Sequence, residues 1–216
     1  MKSNQRQWIA GALALASLCA SLTACAPLLL GGAMVGGSMM AIDRRTSGTQ
    51  IEDQGIELRG LSRMHEALGE RGHVSITSYN RQVLLTGEVA SESDRQLAEQ
   101  VMAKVDNVRG IVNELAVIGN SSLTQRSSDL IITARVTAGF VDAKELSANN
   151  FKVVTQRGTT FLMGRVTQAE ATRATEIARS TSGVQKVVRI FEYLSDEELR
   201  HLLVPPTTPS PVTKAP

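Results

Sequence analysis

The stretch Leu84-Leu85-Thr86-Gly87-Glu88-Val89 recurs 77 positions later as Phe161-Leu162-Met163-Gly164-Arg165-Val166. Downstream the spacing between the copies becomes 76, so one residue is missing from the second copy's loop. There Ser91-Glu92-Ser93-Asp94 matches Thr167-Gln168-Ala169-Glu170, and Asn107-Val108-Arg109-Gly110-Ile111-Val112 matches Gly183-Val184-Gln185-Lys186-Val187-Val188. Upstream, Val74 and Ile76 correspond to Phe151 and Val153. A repeat of this length is one supersecondary unit built twice.

Each copy has the same order. A helix over 52–68, or 128–146, comes first. Two strands with alternating apolar residues follow, 73–79 with 82–88 and 150–156 with 159–165. Their links, Asn80-Arg81 and Arg157-Gly158, are short enough for hairpins. A second helix starts at a capping box, Ser91 with Asp94 and Thr167 with Glu170, in which the hydroxyl satisfies an orphan N–H of the first turn. Its apolar face is Leu97, Ala98, Val101 and Val105 in the first copy, and Ala174, Ile177 and Ala178 in the second. A last strand, 108–118 or 184–194, closes the unit. The fold class is α+β: two tandem αββαβ units, each a small three-stranded mixed sheet with two helices. A right-handed crossover places the last strand parallel to the strand before the helix. Gly87 and Gly164 answer a backbone need near a strand end. A unit of this size buries a modest core. The joining segment is short and polar, so the two units either pack together or keep limited freedom.

The ends of the chain read differently. Lys2 and Arg6 precede an apolar run, Trp8 to Ala20, and then Leu22-Thr23-Ala24-Cys25. This is a bacterial lipobox: residues 1–24 form a signal peptide and Cys25 is the lipidated first residue. Secretory cleavage without lipid and an uncleaved anchor are the alternatives. Removing Lys2 and Arg6 cancels the formal charge of +2, so bulk charge does not argue for nucleic acid. With Cys19 in the signal and Cys25 modified, no thiol remains for a disulfide, a metal cluster or a nucleophile. Residues 25–47 form an acylated flexible linker whose Gly32 and Gly36 make a GxxxG too short to read as a membrane helix. The other segments are 48–118 for the first unit, 119–127 for a linker, 128–194 for the second unit, and 195–216 for a short helix and a disordered Pro-rich tail. All six prolines lie at the edges, at Pro27, Pro205, Pro206, Pro209, Pro211 and Pro216.

An αββαβ unit with the glycine of LLTGEV and FLMGRV, and a GVQKVV approach to its last strand, resembles the BON domain. A lipobox followed by two such units, with GTQIEDQGIELR before the first and SSDLIITARV opening the second, resembles the DolP (YraP) family of dual-BON outer-membrane lipoproteins. The resemblance implies a non-enzymatic protein without a cofactor, anchored in the outer membrane and facing the periplasm. In it, Cys25 carries a diacylglyceryl thioether and an N-acyl chain such as palmitate. Ala26 after the cysteine matches outer-membrane sorting. The resemblance also implies binding of anionic phospholipid, phosphatidylglycerol-like, through the first helix of the second unit, with roles in outer-membrane integrity and cell division.

The residues agree with that expectation in two respects. Residues 48–120 hold seven Lys/Arg against eleven Asp/Glu, net −4, and residues 121–194 hold ten against six, net +4. Basic surfaces attract anionic headgroups over about a Debye length. In the helix after Ser128, Ile132, Val136 and Phe140 supply a core stripe at i, i+4, i+8. That leaves Leu130, Ile131, Ala134 and Ala138 apolar on other faces, with Arg135 among them, a pattern suited to shallow insertion between headgroups. By the resemblance, Ile131 stands where a relative carries Trp. The alternative is that this second face packs on the first unit. The functional alternative is a protein-interaction module, gripping an envelope assembly factor or a division regulator. The first unit's helix, with Glu52, Asp53, Glu57 and Glu66, suits anionic lipid poorly. His65, His73 and His201 share no ligand spacing, and no P-loop, GxSxG or dinucleotide loop is present. The acids Asp196, Glu197 and Glu198 follow Ser195, which reads as a helix N-cap.

Overall fold

A computed structural model describes residues 43–119 and 121–203. The signal peptide, Cys25, the Gly32/Gly36 pair and the proline tail all lie outside the described residues.

The first helix, α1 (Ser47–Leu68), leads into β1 (Gly72–Tyr79) and β2 (Gln82–Val89). The α2 helix (Glu92–Ala103) then crosses to β3 (Gly110–Asn113) and β4 (Ala116–Val117). The second unit repeats this with α3 (Leu123–Asp142), β5 (Phe151–Gln156), β6 (Thr159–Val166), α4 (Gln168–Ser180) and β7 (Lys186–Tyr193), and α5 (Asp196–Leu203) follows. In each sheet the central strand pairs antiparallel with the strand before it and parallel with the strand after the helix. Both units therefore have the expected α+β, αββαβ organisation.

The local structure departs from the sequence expectation most clearly in four respects. Both first helices begin five residues early. Thr46 and Ser122 accept the N–H of Thr49 and Gln125 as N-caps, so most of the polar joining segment is helical. At the other end α3 stops at Asp142, where Ala143 turns to extended backbone. The first unit's last strand is split, because the Asn113 side chain takes the Leu115 N–H at 3.3 Å and draws it out of the ladder. Of the two expected capping boxes only that at Thr167 is complete, where the Glu170 carboxylate returns to the N-cap backbone. Asp94 is one methylene shorter; its carboxylate instead takes the Ser91 hydroxyl at 2.6 Å and Arg71 at 2.8 Å.

Each sheet is covered on one face by its own two helices. In the first unit Ile56, Met64 and Leu68 of α1 pack with Ala98 and Met102 of α2 on Val83, Leu85 and Val89. In the second, Ile132, Val136 and Phe140 pack with Ala171, Ala174 and Ala178 on Leu162 and Val166. The intervening residues of the central strands face the other way, because side chains alternate along a strand. Of these, Leu84, Phe161 and Met163 join Tyr79 of β1 and Ile190 of β7 in a third core between the two sheets. The units thus pack sheet to sheet. Polar contacts rim this core: the Tyr79 hydroxyl donates to the Asn150 carbonyl at 3.1 Å, and Gln156 donates to the buried Glu88 carboxylate at 2.9 Å. Burial pushes the Tyr79 hydroxyl up to about 12, with the nearby Asp43 adding to the rise.

Residues just before α1 also bind across the units. Arg44 forms a two-pronged pair with Glu170, at 2.7 and 2.8 Å, and donates to the Arg165 carbonyl. Arg45 pairs with Asp43 and Asp53 and lies 4.1 Å over the Tyr79 ring.

Gly87 has φ +115°, and a Cβ there would sit 2.0 Å from the His73 carbonyl oxygen. The same test at Gly164 gives 2.6 Å to the Asn150 carbonyl oxygen. Both glycines are required by close backbone approach.

Candidate functional site

The candidate site is the outward face of α3. Its inward stripe, Ile132, Val136 and Phe140, is buried as the spacing predicts. The face is fixed at three heights along the helix. Near the start, the Asp129 carboxylate accepts the N–H groups of Arg157 and Gly158 at 2.8 and 3.0 Å, tying α3 to the β5–β6 turn. One turn on, Gly183 lies so close to Ile132 that a Cβ would stand 2.8 Å from it. Further along, Gly139 leaves just enough room for Ile177 of α4.

Asp53 makes the same tie in the first unit. It accepts from Asn80 N at 2.8 Å, Arg81 N at 2.7 Å, the Ser78 hydroxyl at 2.8 Å and Arg45 at 2.9 Å. Asn80 and Arg81 both have positive φ, as does Arg157 before Gly158. Two positive values in succession are the type I′ turn that suits the twist of a hairpin. Each buried carboxylate satisfies the turn N–H groups that strand pairing leaves free. Sequence reading overlooked this pair, although aspartates 76 positions apart in the two copies were a visible signal.

All five predicted site residues are on the exposed side of α3. Leu130 is 71% and Ile131 53% exposed, and Ala134, Arg135 and Ala138 are exposed with them. The spacing of 130, 134 and 138, and of 131 and 135, brings the five onto one face. The structure adds Leu123 and Val141, both exposed and two turns from Leu130 and Ala134 respectively. The early N-cap at Ser122 places Leu123 on the helix. Among the described residues this face is not covered by the first unit, which packs through its sheet instead.

Arg135 is the one cation within the face. Its guanidinium reaches only the Ser182 carbonyl, at 3.5 Å, and has no carboxylate partner among the described residues. Arg59 occupies the same place in the first unit and reaches the Asp106 carbonyl at the same 3.5 Å. Arg59, however, is also neutralised by Glu52 at 2.6 Å. Asn107 and Arg59 together hold the Glu52 carboxyl below the usual carboxylate range. The residue matching Glu52 in the second unit is Ser128, so Arg135 keeps its charge available. Chemically, this face offers apolar side chains and one guanidinium to a surface bearing phosphate, and it has no group set to break a bond. Among the described residues no cluster of His, Cys, Asp or Glu is arranged to hold a metal ion, and no helix is long and apolar enough to cross a membrane.

The BON-domain model matches residues 53–119 and 128–194. The chain is 36% identical over 176 residues to the outer membrane lipoprotein DolP of Haemophilus influenzae, spanning 80% of this chain and 90% of that protein. It is 31% identical over 155 residues to the 21 kDa hemolysin of Actinobacillus pleuropneumoniae, spanning 71% of this chain and 80% of that protein. With two BON units in tandem and likeness to DolP along nearly all of DolP's length, the chain belongs to the dual-BON DolP family of outer-membrane lipoproteins.

Proposed function

We propose that this protein is a non-enzymatic envelope protein that docks on anionic phospholipid through α3, and so supports outer-membrane integrity and the envelope maintenance linked to cell division. Cys25 is its acyl anchor on the periplasmic side. Several acyl chains together give stable anchoring where one is marginal. The α3 contact adds headgroup selectivity to an attachment already made.

The observation that carries this reading is a single helix face on which exposed Leu130 and Ile131 flank Arg135, a guanidinium without a carboxylate partner. A phosphate accepts charge-assisted hydrogen bonds from a guanidinium, which is the stronger class of hydrogen bond. Leu130 and Ile131 then enter the headgroup–acyl boundary, and the small Ala134 and Ala138 let the helix lie close. The net +4 of residues 121–194 draws the unit to an anionic surface. Ile131 inserts but has no polar edge to hold at the interface, unlike a tryptophan, so the contact is reversible.

The test is co-sedimentation of the non-acylated fragment 43–216 with vesicles. The fragment should pellet with phosphatidylglycerol-containing vesicles at low salt, stay in solution with phosphatidylcholine alone, and be released by salt. Ile131→Glu should abolish pelleting and leave the circular dichroism spectrum intact. Equal binding to neutral vesicles, or full binding by Ile131→Glu, would contradict the proposal.

A further inference from the structure

A second surface lies in the first unit, along the outer edge of β1. A groove of about 580 Å³ runs there between α1 and the strand, lined by Gln54, Glu57, Leu58 and Leu61 on the helix side and by residues 73–76 on the other. It continues past Met64 and His65 towards Gly72. Leu58 is 69% exposed and Leu61 53%, so the helix wall of the groove is apolar and open.

The strand beside it has an unsatisfied edge. β1 pairs with β2 on one side only. The Ser78 N–H points to the other side, where it donates to the Glu57 carboxylate at 2.8 Å. Backbone groups alternate sides along a strand, so the N–H and C=O of Ile76 and Val74 point the same way. Neither N–H has an acceptor among the described residues outside the ladder. The groove therefore offers backbone donors and acceptors beside an apolar wall, the arrangement that β-strand addition uses.

The other described edges are guarded against such pairing. β5 carries exposed Lys152, and β7 carries exposed Lys186 and Arg189. β3 and β4 are short and interrupted. Charge, especially lysine, and short length are the usual ways in which an edge is blunted. β1, with the sequence GHVSITSY, has neither Lys, Arg nor Pro over its eight residues. The residue matching Lys152 in the first unit is Ser75.

We infer that β1 is a docking edge for an extended, cationic peptide segment of another protein, which adds a strand to the first sheet and lays apolar side chains on Leu58 and Leu61. The sign of the partner's charge follows from the first unit, where residues 48–120 carry net −4; Glu57 on the groove wall is already engaged by the Ser78 N–H and by Lys152, 3.9 Å away. This surface is separate from the α3 face and does not depend on lipid binding.

The experiment uses the full chain in phosphatidylcholine nanodiscs and the dye-labelled octapeptide Lys-Val-Lys-Val-Lys-Val-Lys-Val, with the matching Glu-Val octapeptide as control. Fluorescence anisotropy reports affinity, and hydrogen exchange resolved at the outward Val74 and Ile76 N–H groups within residues 72–79 reports strand pairing. The expected result is saturable binding of the Lys-Val peptide alone, with slowed exchange in that segment. Ser75→Lys, which copies the guard of β5, should weaken binding at least tenfold. Leu58→Glu should also weaken binding about tenfold, by loss of a buried leucine contact, although it makes the unit more acidic. Stronger binding by Leu58→Glu would reveal diffuse charge attraction and overturn the inference. So would the absence of saturable binding. Slow exchange of the outward Val74 and Ile76 N–H groups without peptide would also overturn it, showing the edge occupied by a second copy if concentration-dependent and by the chain's own segments if not.

Discussion

The first helices of the two units hold an arginine at the same place, and the surroundings give the two arginines opposite electrostatic settings. Arg59 lies beside Glu52 at 2.6 Å, in a unit of net −4. Arg135 has Ser128 where Glu52 would be, in a unit of net +4. Both reach a loop carbonyl at 3.5 Å, so the backbone frame is held constant while the electrostatics change. The apolar residues have diverged in parallel. On α3, Leu130 and Ile131 stand where α1 has Gln54 and Gly55. The repeat thus works as an internal control: what both copies keep serves the fold, and what they do not keep separates their surfaces.

The shared glycine gives the largest expected effect. Gly87→Ala should destabilise the protein by roughly 4 kcal/mol, because the added Cβ meets a backbone oxygen at 2.0 Å in a left-handed conformation. Gly164→Ala should cost about 2 kcal/mol, since only a contact of 2.6 Å, not the φ, opposes it. Chemical denaturation of the two variants measures the difference. Equal costs would show that φ is not what distinguishes the two sites.

The buried aspartates come next. Asp53→Ala should cost about 3 kcal/mol, because it strands two turn N–H groups and a hydroxyl and removes one of Arg45's two carboxylate partners. Asp129→Ala strands fewer donors and should cost about 2 kcal/mol. The same denaturation experiment checks the order.

Ser128→Glu would give Arg135 the partner that Arg59 has. One basic residue near an anionic surface is worth about 1 kcal/mol, so affinity for phosphatidylglycerol vesicles should fall about fivefold with stability unchanged. A vesicle titration reads this, and unchanged affinity would remove Arg135 from the site.

The smallest effect is a pH dependence at the Arg44–Glu170 pair. Burial alone would raise the Glu170 carboxyl, but the hydrogen bonds from Arg44 and Thr167 outweigh it and hold the group below the usual range. A depressed carboxyl contributes stability above its unfolded value of about 4.3 and loses it as the pH falls through the folded value. Stability should therefore drop by roughly 1 kcal/mol more in wild type than in Arg44→Ala on acidification from pH 6 to pH 3, after allowance for solvent screening. Melting curves at the two pH values provide the comparison.

Much of this was legible in the sequence because the repeat doubled each signal. The strands, the turns, the glycines and the buried stripe of α3 stand out once the copies are aligned, since alternation and helical spacing are local properties. The early helix starts were hidden, because Thr46 and Ser122 sit in polar stretches that read as linker. The sheet-to-sheet packing was hidden for another reason. Leu84, Phe161 and Met163 are apolar on the outer face of a central strand, and sequence alone does not say what covers them. The exposure of the five α3 residues was legible from their spacing off the buried stripe, whereas Leu123 fell outside the predicted helix. The β1 edge was missed because its signal is the absence of a lysine that the other copy has.

The central claim is that the two otherwise matching units differ in which one meets the membrane. The most direct test places a single tryptophan at position 131 or at position 58 of the lipidated chain, which carries no tryptophan of its own after Cys25, and measures quenching by brominated phosphatidylglycerol in vesicles. The account predicts strong, salt-sensitive quenching for Ile131→Trp and little for Leu58→Trp. Equal quenching at both positions, or stronger quenching at 58, would contradict it.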